Sequence, residues 1–181
     1  MLFKIKFHDH EKFKDLVDKN LVSIKSERLN LNTTLRSTSI NSEQWEFNKD
    51  NQELFFELAN NVRYKVADFF AKTPDFFEIK TFWVVKGKEN SFHSIHQHSK
   101  TPTGYSVVLY LDVPPYDQLE SVFDERGLFY WIDYEDQMLS THAIKPERGD
   151  LLIFRNNLLH GTTPQLKGTR TTFNVDLIEV K

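Results

Sequence analysis

The chain has 181 residues, of which 39% are hydrophobic and 27% charged, with a formal net charge of −3. That size and balance suit one domain over residues 1–181 with one sizeable core, and the negative charge offers no general attraction for nucleic acid or an anionic membrane. Cysteine is absent, which removes disulfide scaffolds, thiolate metal sites and cysteine nucleophiles, so any metal must be held by His, Asp or Glu.

The opening residues, MLFKIKFHDH, alternate charged and apolar side chains and contain no apolar signal core. No run approaches the ~20 apolar residues that span a bilayer, and a cytoplasmic location is expected. A short helix is predicted over residues 10–19. Residues 26–42 are rich in Ser, Thr and Asn and read as irregular. Their sequon, Asn32-Thr33-Thr34, has no meaning without a secretory signal. Asp50 and Glu53 fit a capping box, and Leu54, Leu58, Val62, Val66 and Phe69 then recur at helical spacing. A helix is therefore predicted over 50–72, stopped by Thr73-Pro74 because the residue before proline avoids the α region. Its apolar stripe should cover one face of a sheet.

After Pro74 the pattern changes to short strands, predicted at 77–85, 105–113, 128–134, 143–145, 150–154 and 171–178. Another opens near His160, and Pro146 and Gly149 mark a turn. Short strands separated by turn signals indicate a mostly antiparallel sandwich or barrel. The expected organisation is an α-containing support region, 1–75, leading into a β core, 76–181.

The chemistry concentrates in the histidines. Three of seven fall in FHSIHQHSK, as His93, His96 and His98. Residues two apart on a strand face one side, so His96 and His98 should point together, and imidazole is a common metal ligand. His93 has odd spacing and reads as pocket rim or surface. His8, His10 and His142 read as structural or exposed, and Trp83 and Trp131 as core. A further candidate, His160, closes IKPERGDLLIFRNNLLHG. Arg170 follows ten residues later in GTRTTFNV, and Thr172 shares its strand face. A guanidinium presents a planar fork that matches a carboxylate. The alternative for Arg170 is an ion pair with Asp176.

In order and spacing these pieces resemble the iron(II)/2-oxoglutarate-dependent oxygenases, in particular small members whose first motif is HxH. The resemblance covers about Phe77 to Ile178. It implies a double-stranded β-helix (jelly-roll or cupin-like) core flanked by helices. It also implies Fe(II), 2-oxoglutarate and O2 as cofactor and cosubstrates, with oxygenation, as in a hydroxylase, of a small-molecule or peptide substrate. By resemblance His96 and His160 take ligand positions of the facial triad, Arg170 binds the far carboxylate of 2-oxoglutarate, Thr172 adds a hydroxyl, and Tyr110 lies near the cosubstrate. Position 98 departs from the pattern, being His where most members carry Asp or Glu. Either His98 ligates as a third imidazole, or it turns away and water or a carboxylate such as Asp112 or Asp124 takes its place. Two other functions fit the residues: a three-histidine cupin dioxygenase that does not use 2-oxoglutarate, and a non-enzymatic β-sandwich. Residues 26–42, 114–123 and 133–141 are the loops expected to meet substrate.

Overall fold

A computed structural model describes residues 1–21, 39–47, 52–118, 121, 124–135 and 138–180. The sequon, most of the 26–42 stretch, Asp50, and parts of the predicted loops 114–123 and 133–141 lie outside them. In chain order the elements are β1 (Leu2–Lys6), α1 (His10–Leu21), β2 (Ser39–Phe47), α2 (Glu53–Phe69), a 3-10 turn at Pro74–Phe76, β3 (Phe77–His96), β4 (Gly104–Asp112) and a second 3-10 turn at Tyr116–Gln118. Then follow β5 (Phe129–Glu135), β6 (Met138–Ile144), β7 (Asp150–Arg155), β8 (Leu159–Thr162) and β9 (Arg170–Glu179).

The strands form one curled sheet in the order β1-β7-β4-β9-β3-β8-β5-β6, with β2 also on β3, and each pairing is antiparallel. This is the double-stranded β-helix that the resemblance implies. The sheet is layered by strand alternation. On β9, Phe173, Val175 and Leu177 join Leu109 of β4 and Ile153 of β7 against Val17 of α1 and Leu58, Val62 and Val66 of α2. The α2 stripe thus covers the sheet as its spacing predicts. The other face of β9 carries Arg170, Thr172, Asn174 and Asp176, which line a cavity open to solvent. Beside that cavity a second cluster packs Tyr110, Phe129, Leu152, Phe154 and Leu158.

Five elements differ from expectation. The strand predicted at 143–145 runs as β6 from Met138 to Ile144 and pairs with β5, so most of the 133–141 stretch read as a loop is strand. Residues 39–42, read as irregular, open β2, whose Trp45 and Phe47 are buried. Leu2–Lys6 forms β1 against β7. The α2 helix starts at Glu53, with Gln52 in the cap position and no side-chain cap bond. It ends at Phe69, which is exposed. The third strand runs on to His96, well past the predicted end, through Asn90 at a positive φ of 62°. Gly149 (φ 80°) makes the predicted turn before β7. Among the described residues no helix is long and apolar enough to cross a membrane.

Candidate metal centre and active-site cavity

The histidine cluster is assembled where β3 ends against β8. His96, the last residue of β3, lies directly across from His160 of β8, and opposed residues on antiparallel strands face the same side. His98 lies beyond the strand, so strand alternation is not what turns it inward. Its backbone N–H, and that of Ser99, donate to the carbonyl of buried Asn156 at 2.9 Å each. This tether folds the chain back over the sheet.

One ligand-type nitrogen from each of His96, His98 and His160 lies within 4.8 Å of the others. Each ring has its Nδ1 beside an acceptor. His96 Nδ1 donates to the Ser94 carbonyl at 2.8 Å, His160 Nδ1 to the Leu158 carbonyl at 2.9 Å, and His98 Nδ1 to Asp176 Oδ1 at 2.7 Å. A neutral imidazole with its proton on Nδ1 presents a bare lone pair on Nε2. The Nε2 atoms of His96 and His98 are 3.2 Å apart. Two lone pairs facing at that distance repel unless a cation lies between them. Nitrogens ~2.1 Å from one metal and at right angles would be ~3.0 Å apart, so the donor set fits a metal ion.

Burial favours the neutral, ligating form. It pushes the His96 ring down to about 4, with the neighbouring His98 adding to the shift against the Ser94 carbonyl. Burial and then the charges of His96 and His98 hold His160 well below its ordinary value. His93 is half-buried rather than on the surface. It lines the same cavity, and burial, then the Arg170 charge, pushes it down to about 3.

Arg170 is 6% exposed and donates through Nη2 to Thr162 Oγ1 at 3.1 Å, while its Nη1 has no hydrogen-bond partner among the described residues. Burial lowers its pKa, opposed by nearby Tyr110 and Tyr116. The proposed ion pair with Asp176 does not form, because six residues of strand separate them by ~20 Å. A buried guanidinium without a carboxylate calls for an anion from outside the chain. Thr172 faces the same cavity, its Oγ1 accepting from Asn174 Nδ2 at 3.1 Å. Tyr110 is buried in the cavity wall, and burial raises its phenol. The donors around Arg170 therefore fit a ligand carboxylate.

The cavity measures about 320 Å³, small-ligand size. Trp83 is part of its wall rather than core, its ring 5.5 Å from that of His98. Gln44, Glu46 and Phe47 of β2 line it too. The carboxylates considered for position 98 are elsewhere: Asp112 pairs with Arg148 at 2.6 Å and Asp124 with Arg126 at 2.6 Å. The residues that sequence reasoning missed are Asp176, Ser106 and Asn156. The signal for Asp176 was present, since the two-residue period linking Arg170 to Thr172 continues to Asn174 and Asp176.

Residues 81–176 match the family model described as 2OG-Fe(II) oxygenase. No curated protein sequence matches the chain. Among solved structures, the viral collagen prolyl hydroxylase of Paramecium Bursaria Chlorella virus-1 is similar at 18% identity, 99% of this chain and 96% of that one, with a TM-score of 0.61. A Pseudomonas putida prolyl-4-hydroxylase is similar at 12% identity, covering 99% and 93%, with a TM-score of 0.64. An oxidoreductase of the 2OG-Fe(II) oxygenase family from Burkholderia pseudomallei is similar at 13% identity, covering 98% and 84%, with a TM-score of 0.69.

Proposed function

Because the chain belongs to the 2OG-Fe(II) oxygenase family, we propose that His96, His98 and His160 hold its Fe(II) and that Arg170 binds the far carboxylate of its 2-oxoglutarate. Family membership makes the chain an oxidoreductase and sets aside the three-histidine cupin and the non-enzymatic sandwich. Iron and 2-oxoglutarate together supply the O2 chemistry when bound. The chain's part is positional. The Nδ1 bonds of the three histidines aim their Nε2 lone pairs at one point. Thr162 holds the Arg170 fork from behind, Thr172 adds a hydroxyl, and the Tyr110 ring helps keep water from that end of the cavity. The reaction is read as hydroxylation of a small-molecule or peptide substrate, in keeping with similar structures named as prolyl hydroxylases. Residues 1–181 act as one domain in this reading, since β1 pairs with β7 and both helices pack on the same sheet.

One observation carries this reading: among the described residues Arg170 is a buried cation lacking an anion, in the cavity that also holds the histidine cluster. Removing one member of a buried charge pair costs about 2–5 kcal/mol. Arg170→Ala should therefore raise the dissociation constant for 2-oxoglutarate at least ~30-fold while iron binding persists. Arg170→Lys should recover part of this, lacking the planar fork. Calorimetric titration of the iron-loaded protein under anaerobic conditions reads both effects. Equal 2-oxoglutarate affinity in wild type and Arg170→Ala would overturn the assignment.

A further inference from the structure

Asp176 has no place in the reading above beyond its bond to His98, yet its surroundings are built. Asp176 stands directly across from Ser106 of β4 and Thr81 of β3 on the cavity face of the sheet. Its Oδ1 accepts from His98 Nδ1 at 2.7 Å and from Ser106 Oγ at 2.7 Å. Its Oδ2 accepts from Thr81 Oγ1 at 3.3 Å. Among the described residues the only cation-capable group within ion-pair distance is His98 itself. The neighbouring strand positions supply hydroxyls, which orient the carboxylate without neutralising it. The side chains of His98 and Asp176 are each 14% exposed, so water screens the charge little.

Among the described residues the cluster, meanwhile, consists of three imidazoles and no carboxylate. The geometry points to Asp176 as the source of the missing negative charge: it fixes His98 with Nε2 bare and lends its charge to the metal through that imidazole, in place of a carboxylate ligand. His98 and Asp176 together then stand where an Asp or Glu ligand would. A carboxylate accepting the Nδ1 proton of a ligating imidazole fixes the ring and makes its other nitrogen a stronger donor. Asp176 is thus a positioning residue that acts through His98. The inference rests on His96, His98 and His160 being the iron ligands.

The test is Asp176→Asn in the full chain. The amide is close to isosteric and can keep all three contacts: its oxygen can accept from His98 and Ser106, and its nitrogen can donate to Thr81 Oγ1. Only the charge is lost. Fe(II) affinity, measured anaerobically against a competing chelator, should fall ~10–100-fold. The Fe(III)/Fe(II) midpoint potential should rise, because a negative charge favours Fe(III) over Fe(II). Asp176→Glu keeps the charge and should return the potential toward wild type even where affinity stays below it; it also serves as the comparison if Asp176→Asn does not fold. His160→Ala separates this inference from the reading beneath it. If His160→Ala binds iron as well as wild type, the ligand assignment is wrong. If His160→Ala loses iron while Asp176→Asn keeps wild-type affinity and potential, the ligands stand and the role of Asp176 is overturned.

Discussion

At the scale of single residues, a feature of the cavity is how many ionisable groups burial keeps uncharged. His93 and His96 are pushed down to about 3 and about 4, chiefly by burial, and His160 is likewise held well below its ordinary value. This suits metal binding, since a protonated imidazole has no lone pair to give. It also costs stability in acid. Below pH 6.5 the unfolded chain takes up protons at these positions that the folded, metal-free protein does not. A state that binds more protons gains as pH falls. Stability of the metal-free protein should therefore drop as pH falls from 6.5 toward about 4. The loss begins above the ordinary carboxylate range near 3.8. Urea midpoints at pH 7.5 and pH 5 check this: the lower pH should give the lower midpoint, and His93→Gln should narrow the gap. A midpoint that is flat or rises toward pH 5 would show that these rings are protonated in the folded state.

At the scale of elements, β8 is the short strand on which the site turns, packed between β3 and β5. Gly161 permits that packing, because a Cβ there would lie 2.6 Å from Tyr130 Oη and 2.8 Å from the His93 carbonyl. The phenol can swing aside but the carbonyl belongs to β3. Gly161→Ala should force β8 off β3, carry His160 out of line and weaken metal binding; its iron content by elemental analysis should fall well below one per chain. Leu58→Ala on α2, buried against the far face of the sheet, should cost about 2–5 kcal/mol in chemical unfolding yet leave metal stoichiometry intact. The contrast explains what the sequence made legible. Strands with one apolar face against helices, such as β9, or with a continuous buried run, such as LLIF of β7, announce themselves. The second strand, SINSEQWEF, is polar except for Ile40, Trp45 and Phe47, since its other side faces the cavity, and it therefore reads as loop. The polar stretch KGKEN within β3 looks like a terminus, but Asn90 bends the chain and pairing resumes toward His96. That His96, His98, His160 and Arg170 share one cavity was legible through the HxH spacing and the family resemblance together. The two-residue period of β9 made the cavity face of Asp176 legible, but its contact with His98 was not, because sequence proximity says little about which end of a strand lies under which loop.

At the scale of the whole molecule, the two halves of the sheet are held together unequally. The strands β1, β7, β4, β9 and the first part of β3 rest on both helices through the large apolar cluster. The group β8, β5 and β6 rests on the small cluster around Phe129 and Phe154, and its outer hairpin leaves Tyr134, Met138 and Leu139 exposed. Local opening follows local burial, so in the metal-free protein β8, β5 and β6 should open first. A metal held by His96, His98 and His160 would join the end of β3 to β8 across this weaker seam. Binding at 100 times the dissociation constant adds about 2.7 kcal/mol to the folded state. That stabilisation should appear chiefly where opening separates the ligands. Hydrogen exchange followed by mass spectrometry, with and without Fe(II) under anaerobic conditions, should show slowed exchange concentrated in β8, β5 and the end of β3. Amides of α2 and β9 should change less, because the opening that exposes them is set by the large cluster. Uniform protection across both halves would mean that the sheet opens only as a unit. Protection confined to β4 and β7 would place the metal elsewhere and break the link between the histidine cluster and the seam.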